Sequence, residues 1–265
     1  MTHRTESTRT ESTPRLQAQT AKRQVSFALL TWVEIRKLLD TRSSFAILAV
    51  LAALAAVLVA GLALFSQSQG MPMTFAGYAG GIGLFTGLAM PLIGILGMTS
   101  DFSHRTTFVY YPLLRGRTGQ FWAKVVAAVA VALTLQLFVL LCSAVTAGLT
   151  MGNAAPADVF QDSAGVIGRG LAACLLGTMF GVALAAAIRR TALTIVAVIL
   201  ITLVGNGLII TLLPDASGYL STITAIAHIA GGPEAPSVLE ACTSLAIWYA
   251  LPLGIGWWIT ERGEA

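Results

Sequence analysis

FAILAVLAALAAVLVAGLALF, residues 45–65, runs for 21 positions without a charged or strongly polar side chain. At about 1.5 Å of rise per residue, such a helix is about 31 Å long, which matches the hydrocarbon core of a bilayer. Five more apolar blocks follow at 78–98, 125–149, 166–188, 192–213 and 238–259. In lipid each segment must satisfy its own backbone hydrogen bonds, and blocks of this length do so as helices. The expected fold is an all-α membrane protein with six transmembrane helices in residues 45–265. Composition agrees: 56% of the 265 residues are hydrophobic and 11% charged, whereas soluble domains carry about 25% charge. A soluble enzyme, a nucleic-acid binder and a disulfide scaffold are excluded.

The net charge of +4 reflects topology rather than a nucleic-acid partner. Lys and Arg near short loops stay on the cytoplasmic side. Residues 1–44 carry eight of them and the 99–124 loop carries four (Arg105, Arg115, Arg117, Lys124). The alternate loops, 66–77, 150–165 and 214–237, carry none, yet hold Asp158, Asp162, Asp215 and Glu234. Both termini are therefore expected in the cytoplasm. Residues 1–24 are polar and Thr-rich, read as a flexible tail with no cleavable signal peptide, so the first span would act as the insertion signal. Cys142, Cys174 and Cys242 lie inside apolar blocks without CxxC spacing and read as packing residues.

Ahead of the first span, residues 25–44 form an expected amphipathic interfacial helix. Val25, Ala28, Leu29, Trp32, Ile35 and Leu39 recur at helical spacing, with Ser26, Glu34, Lys37 and Asp40 on the other side. Trp32 suits the lipid headgroup level, and Arg36 and Lys37 suit anionic lipid. The second span is rich in glycine (Gly80, Gly81, Gly83, Gly87, Gly94, Gly97), and its Pro91 is expected to kink it. Gly177 and Gly181 stand at GxxxG spacing in the fourth span, as in tight helix packing. The long segment 214–237 reads as an interfacial or re-entrant helix covering an outer vestibule.

Catalytic patterns are missing from the sequence. There is no HExxH zinc motif, no GxSxG elbow and no GxxxxGK[ST] phosphate loop. The chain is expected to be neither an enzyme nor a metal protein, and to bind no ATP in the P-loop manner. The polar residues that stand out within the spans are Gln136, Arg169, Thr178, Asn206 and Glu240. Gln136 and Asn206 either bond across helices or contact substrate. Arg169 and Glu240, near outer helix ends, either snorkel or pair as an outer gate. These four are the pathway or gate candidates.

The 99–124 loop, TSDFSHRTTFVYYPLLRGRTGQFWAK, combines charge with Phe102, Phe108, Tyr110, Tyr111 and Trp122. That composition suits a short helix under the bilayer that presents aromatic anchors to a protein. At Thr99, Ser100, Asp101, Phe102, His104, Thr106, Arg117, Ala123 and Lys124 the loop resembles permease subunits of bacterial ABC type-2 transporters. The amphipathic helix and the six-span plan resemble them too. Arg105 stands where that family has glycine, and Arg115-Gly116-Arg117 where it has a Pro-Arg-Arg cluster.

The resemblance implies that the loop is a coupling helix seated on a separate cytoplasmic ABC ATP-binding subunit, where ATP and Mg would bind. Asp101, Phe102, His104, Arg105, Thr106, Arg115 and Arg117 would make that contact, with Trp32, Glu34, Arg36 and Lys37 in an elbow helix beside it. It implies a second permease chain, identical or related, with a pathway lined mainly by spans one, two and five, in a bacterial cell membrane. The cargo would be a drug, peptide or lipid-linked molecule, and the apolar spans favour a hydrophobic or amphipathic one. A non-transporting membrane scaffold or immunity-type sensor is the alternative, and an intramembrane enzyme a more distant one.

Overall fold

A computed structural model describes residues 26–71, 73–103, 117–152, 155–230 and 235–262, with 100–103, 117 and 230 described by backbone alone. The chain is a multi-pass helical membrane protein. Five helices are long and apolar enough to cross a bilayer, and a bent pair makes a sixth crossing if counted as one span. Among the described residues there is no strand.

Helix α1 (Phe27–Asp40) starts at Ser26, whose Oγ accepts the Leu29 N–H at 3.3 Å. Its 14 residues are too few to span. Extended backbone at Thr41 (φ −77°, ψ 124°) ends it, and α2 (Arg42–Ser68) begins at once. The expected 25–44 helix is thus shorter, because residues 42–44 belong to the first span. Next come α3 (Phe75–Gly81) and α4 (Gly83–Ser103), inclined by 55°. The second span is broken at Ile82, ahead of Pro91. Glycines flank Ile82, each weakening a helix by about 1 kcal/mol relative to alanine, while Pro91 sits within unbroken helix.

Helix α5 (Arg117–Thr150) is 34 residues long, about 51 Å, so it projects well beyond a hydrocarbon core. The short α6 (Pro156–Val159) leads to α7 (Ser163–Ile188) and then α8 (Thr191–Leu212). Two short helices, α9 (Ser217–Leu220) and α10 (Thr224–Ala230), precede α11 (Val238–Arg262). Residues Leu200–Gly205 of α8 and Ala246–Ala250 of α11 are π-helical, a rare local widening within an α-helix.

The centre of the bundle is α7, packed most extensively on α4 and also on α5 and α11. Small residues set these approaches. A Cβ on Gly181 would collide with the backbone of Pro91, and one on Gly94 with the Thr178 carbonyl. One on Gly256 would strike Ala186. The GxxxG pair therefore packs against the proline segment, and the bare glycine faces make room for the ring. Close backbone approach of this kind supplies dispersion contacts where lipid offers no hydrophobic drive between helices.

Polar clasps close both ends of the bundle. At one end Thr191 donates to Thr99 (2.9 Å), Arg189 to Thr260 (3.0 Å) and Thr118 to Glu261 (3.1 Å). At the other the buried Tyr78 hydroxyl lies 3.0 Å from both Ser66 and Thr150, joining α3 to α2 and α5.

Candidate functional site

Helix α1 and the flanks of the 99–124 segment form one packed unit. Helix α1 lies mainly on α5, and Leu38 is buried in a cluster with Ile93, Val131 and Leu135. A Cβ on Gly97 of α4 would lie 2.7 Å from the Ala128 Cβ and 3.8 Å from Leu38 Cδ1. Helices α1, α4 and α5 therefore meet at one point. Helix α4 extends to Ser103 and α5 starts at Arg117, so Asp101, Phe102 and Arg117 sit on the two helical flanks. His104, Arg105, Thr106 and Arg115 lie outside the described residues. Trp122, on the α5 flank, is exposed and stands edge-on to the buried Phe121, ring centroids 5.5 Å apart.

On α1 the two faces differ from the expected ones. Glu34 is buried, and its carboxylate accepts from Lys37 at 2.7 Å. Leu29, Trp32, Val33 and Leu39 point outward, beside the exposed Arg36–Asp40 pair at 2.8 Å. The physical reason is the partner: α5 takes the Leu30, Glu34, Leu38 face, so the apolar residues left outside suit lipid. Pairing with Lys37 lets the carboxylate sit inside.

At the opposite end the charged candidates separate. Arg169 Nη2 donates to Asp162 Oδ2 at 2.7 Å. Asp162 adopts a left-handed conformation (φ 51°) just ahead of α7, and its carboxylate lies where a Cβ on Gly165 would be. Glu240 instead completes a capping box: its Oε2 accepts from Ser237 N–H (2.6 Å) and Oγ (2.8 Å), while Ser237 Oγ accepts from Glu240 N–H (3.3 Å). In the structure Arg169 and Glu240 are thus each bonded to another residue and not to one another. Each is satisfied locally, within its own helix start.

Asn206 is buried and fully engaged. Its Nδ2 donates to Thr222 Oγ1 (2.8 Å) and the Thr202 carbonyl (3.1 Å), and its Oδ1 accepts from Thr222 N–H (3.0 Å) and Ser221 Oγ (3.1 Å). Ser244 and Trp248 of α11 donate to the Ser221 and Leu220 carbonyls, both at 2.7 Å. The non-helical link between α9 and α10 is thereby held between α8 and α11. Irregular backbone is tolerated at depth only where protein supplies such partners. The bond runs to the 214–237 segment rather than to another span.

Gln136 has no such arrangement. It is 6% exposed and makes no hydrogen bond with any described residue. It borders a cavity of about 360 Å³ between α3–α4, α5 and α7, which Ile226 of α10 also lines. Gly80, Gly83 and Gly87 form one wall, and a Cβ on any of them would meet nothing within 4 Å. The glycines of the second span thus fall into two groups. Gly81, Gly94 and Gly97 lie against a neighbouring helix, while these three leave open space. Cys174, buried, and Met90 close the cavity floor, sulfur to sulfur at 3.6 Å.

The roles of Asp162, Ser221 and Thr222 were invisible to spacing arguments, since each acts through a turn. For the cavity the signal was present as glycines at i, i+3 and i+7 across Gly80, Gly83 and Gly87. All three cysteines are unbridged, and among the described residues no His, Cys, Asp and Glu group could hold a metal ion. The chain matches no family model, no curated protein and no solved structure.

Proposed function

We propose that this chain is the permease subunit of an ATP-driven exporter of the ABC type-2 kind, working in a bacterial cell membrane with a second permease chain. A separate cytoplasmic subunit binds ATP and Mg. The supporting observation is the junction of Leu38, Gly97 and Ala128, where α1, α4 and α5 meet. A load applied between Ser103 and Arg117 acts on all three helices together, and through Pro91 and Gly181 on α7. Rigid elements coupled in this way respond to a partner by rocking as a body.

Asp101, Phe102, His104, Arg105, Thr106, Arg115 and Arg117 then contact the ATP-binding subunit, with α1 as the elbow whose Trp32 face rests in lipid. Helices α2 and α8 carry outward apolar surface, and Leu51, Phe85, Leu92 and Ile195 line an apolar groove of about 200 Å³ between α2, α4 and α8. The second permease chain covers this face, and a hydrophobic or amphipathic cargo passes between the two.

The test is purification of the tagged chain in mild detergent, with the co-purifying proteins identified by mass spectrometry. A stoichiometric ATP-binding subunit is expected. A chain that purifies alone under conditions preserving such complexes would replace the exporter with a membrane scaffold or immunity-type sensor.

A further inference from the structure

The cavity beside Gln136 has the size and chemistry of a ligand site contained in a single chain. About 360 Å³ falls within the range of small-molecule pockets and, at about 30 Å³ per water-sized group, takes roughly a dozen non-hydrogen atoms. Its walls are apolar except at Gln136, Thr86 and Arg169. The Thr86 hydroxyl is committed to the Gly83 carbonyl at 3.0 Å, and the Arg169 guanidinium is neutralised by Asp162 at 2.7 Å. Among the described residues, only the Gln136 carboxamide of this lining bonds to no protein group; the residue is 6% exposed, and its amide atoms open onto the cavity rather than being sealed in protein. An amide placed so can gain hydrogen bonds only from what enters the cavity. A leucine of similar volume would need no such partner, so the amide calls for a complement that enters the cavity.

The glycine wall points the same way. Where Gly94 and Gly181 are needed to admit backbone, a Cβ at Gly80, Gly83 or Gly87 would meet no protein atom within 4 Å. Glycine there lowers helix stability and gains no packing in return, while it keeps the space beside Gln136 open. Gly170 extends this surface: a Cβ there would stand 3.2 Å from Gln136 Nε2, so even one methyl would crowd the amide.

We propose that this cavity binds a small uncharged amphipathic molecule whose amide, or comparable adjacent donor and acceptor, pairs with the Gln136 carboxamide while its apolar body lies along the glycine wall. An ionised ligand is disfavoured because no unpaired counter-charge lines the space. The site belongs to one chain and does not rest on the exporter reading. Its test involves neither ATP nor transport.

The experiment is photo-crosslinking of the full chain in lipid nanodiscs with an octanamide that carries a diazirine in its chain, followed by peptide mapping. An octane diazirine serves as the probe without the amide. The expected result is labelling concentrated at residues 80–90 and 170–177, displaced by excess unlabelled octanamide. Gln136→Leu should weaken labelling by the amide probe about fivefold, the scale of one hydrogen bond, and leave the octane probe unchanged. Gly87→Leu, which fills the space, should reduce both. Equal labelling of the outward-facing Val126 and Val145 of α5, no displacement in the wild-type chain, or a Gln136→Leu variant that labels as the wild type does would each overturn the site.

Discussion

The carbonyl of Pro91 occupies the space that a Cβ on Gly181 would need. Because both groups belong to helix backbones, neither can turn aside as a flexible side chain would. Gly181→Ala should therefore force α4 and α7 apart, costing about 1–3 kcal/mol as overpacking does. Gly61, in α2, has nothing within 4 Å of its missing Cβ, and Gly61→Ala should be neutral or stabilising by up to about 1 kcal/mol. Thermal unfolding of both variants in the same detergent checks the contrast. Equal midpoints would contradict it.

Asn206 holds the α9–α10 link through the Thr222 backbone amide, so Asn206→Leu strands a buried N–H. The expected loss is about 1–3 kcal/mol. Hydrogen exchange should show residues 217–230 opening before the spans do. Asn206→Asp keeps the acceptor for that amide and should protect the segment better than leucine. If both variants leave exchange at 217–230 unchanged, the link is held by something else.

Span positions were legible in the sequence because apolar length is a sum over some twenty residues, and no single side chain can overturn it. The fold details that were not legible depend on partners. Pro91 is the obvious breaker in the second span, yet the helix continues through it beside Gly177 and Gly181, and the 55° break falls at Ile82. Glu34 reads as solvated until α5 takes the face it lies on. Arg169 and Glu240 look complementary across two helices, but Asp162 and Ser237 are nearer in the chain and reach them first. Gln136 was visible as a polar residue in a span, while its lack of a bonding partner required the surrounding helices. The loop residues His104, Arg105, Thr106 and Arg115 are supported by sequence alone.

The two ion pairs on α1 should differ in weight. Arg36 and Asp40 are well exposed, with side chains 72% and 63% accessible, and Asp40→Asn should change stability by no more than about 0.5 kcal/mol. Glu34 is buried at 7%, with Lys37 at 34%. Glu34→Ala should cost about 1–2 kcal/mol, below the loss for a fully buried pair because Lys37 reaches solvent. Protease sensitivity at Thr41, where α1 meets α2, should rise in the Glu34 variant alone.

Because Arg169 and Glu240 have separate partners, their substitutions should be additive. The double variant Arg169→Gln with Glu240→Gln is expected to lose the sum of the single losses within about 0.5 kcal/mol. The swap Arg169→Glu with Glu240→Arg should restore nothing. Recovery in the swapped chain, measured by thermal midpoint in nanodiscs, would reinstate the pair as a gate.

The central claim is that the segment between α4 and α5 receives work from an ATP-binding subunit. The direct measurement is ATP hydrolysis by the purified complex, wild type against the double variant Asp101→Ala with Arg105→Ala, at matched subunit stoichiometry and thermal midpoint. Loss of most turnover or of subunit binding in the variant is the outcome this account requires. Full turnover with an unchanged complex would show that the segment is not the coupling element.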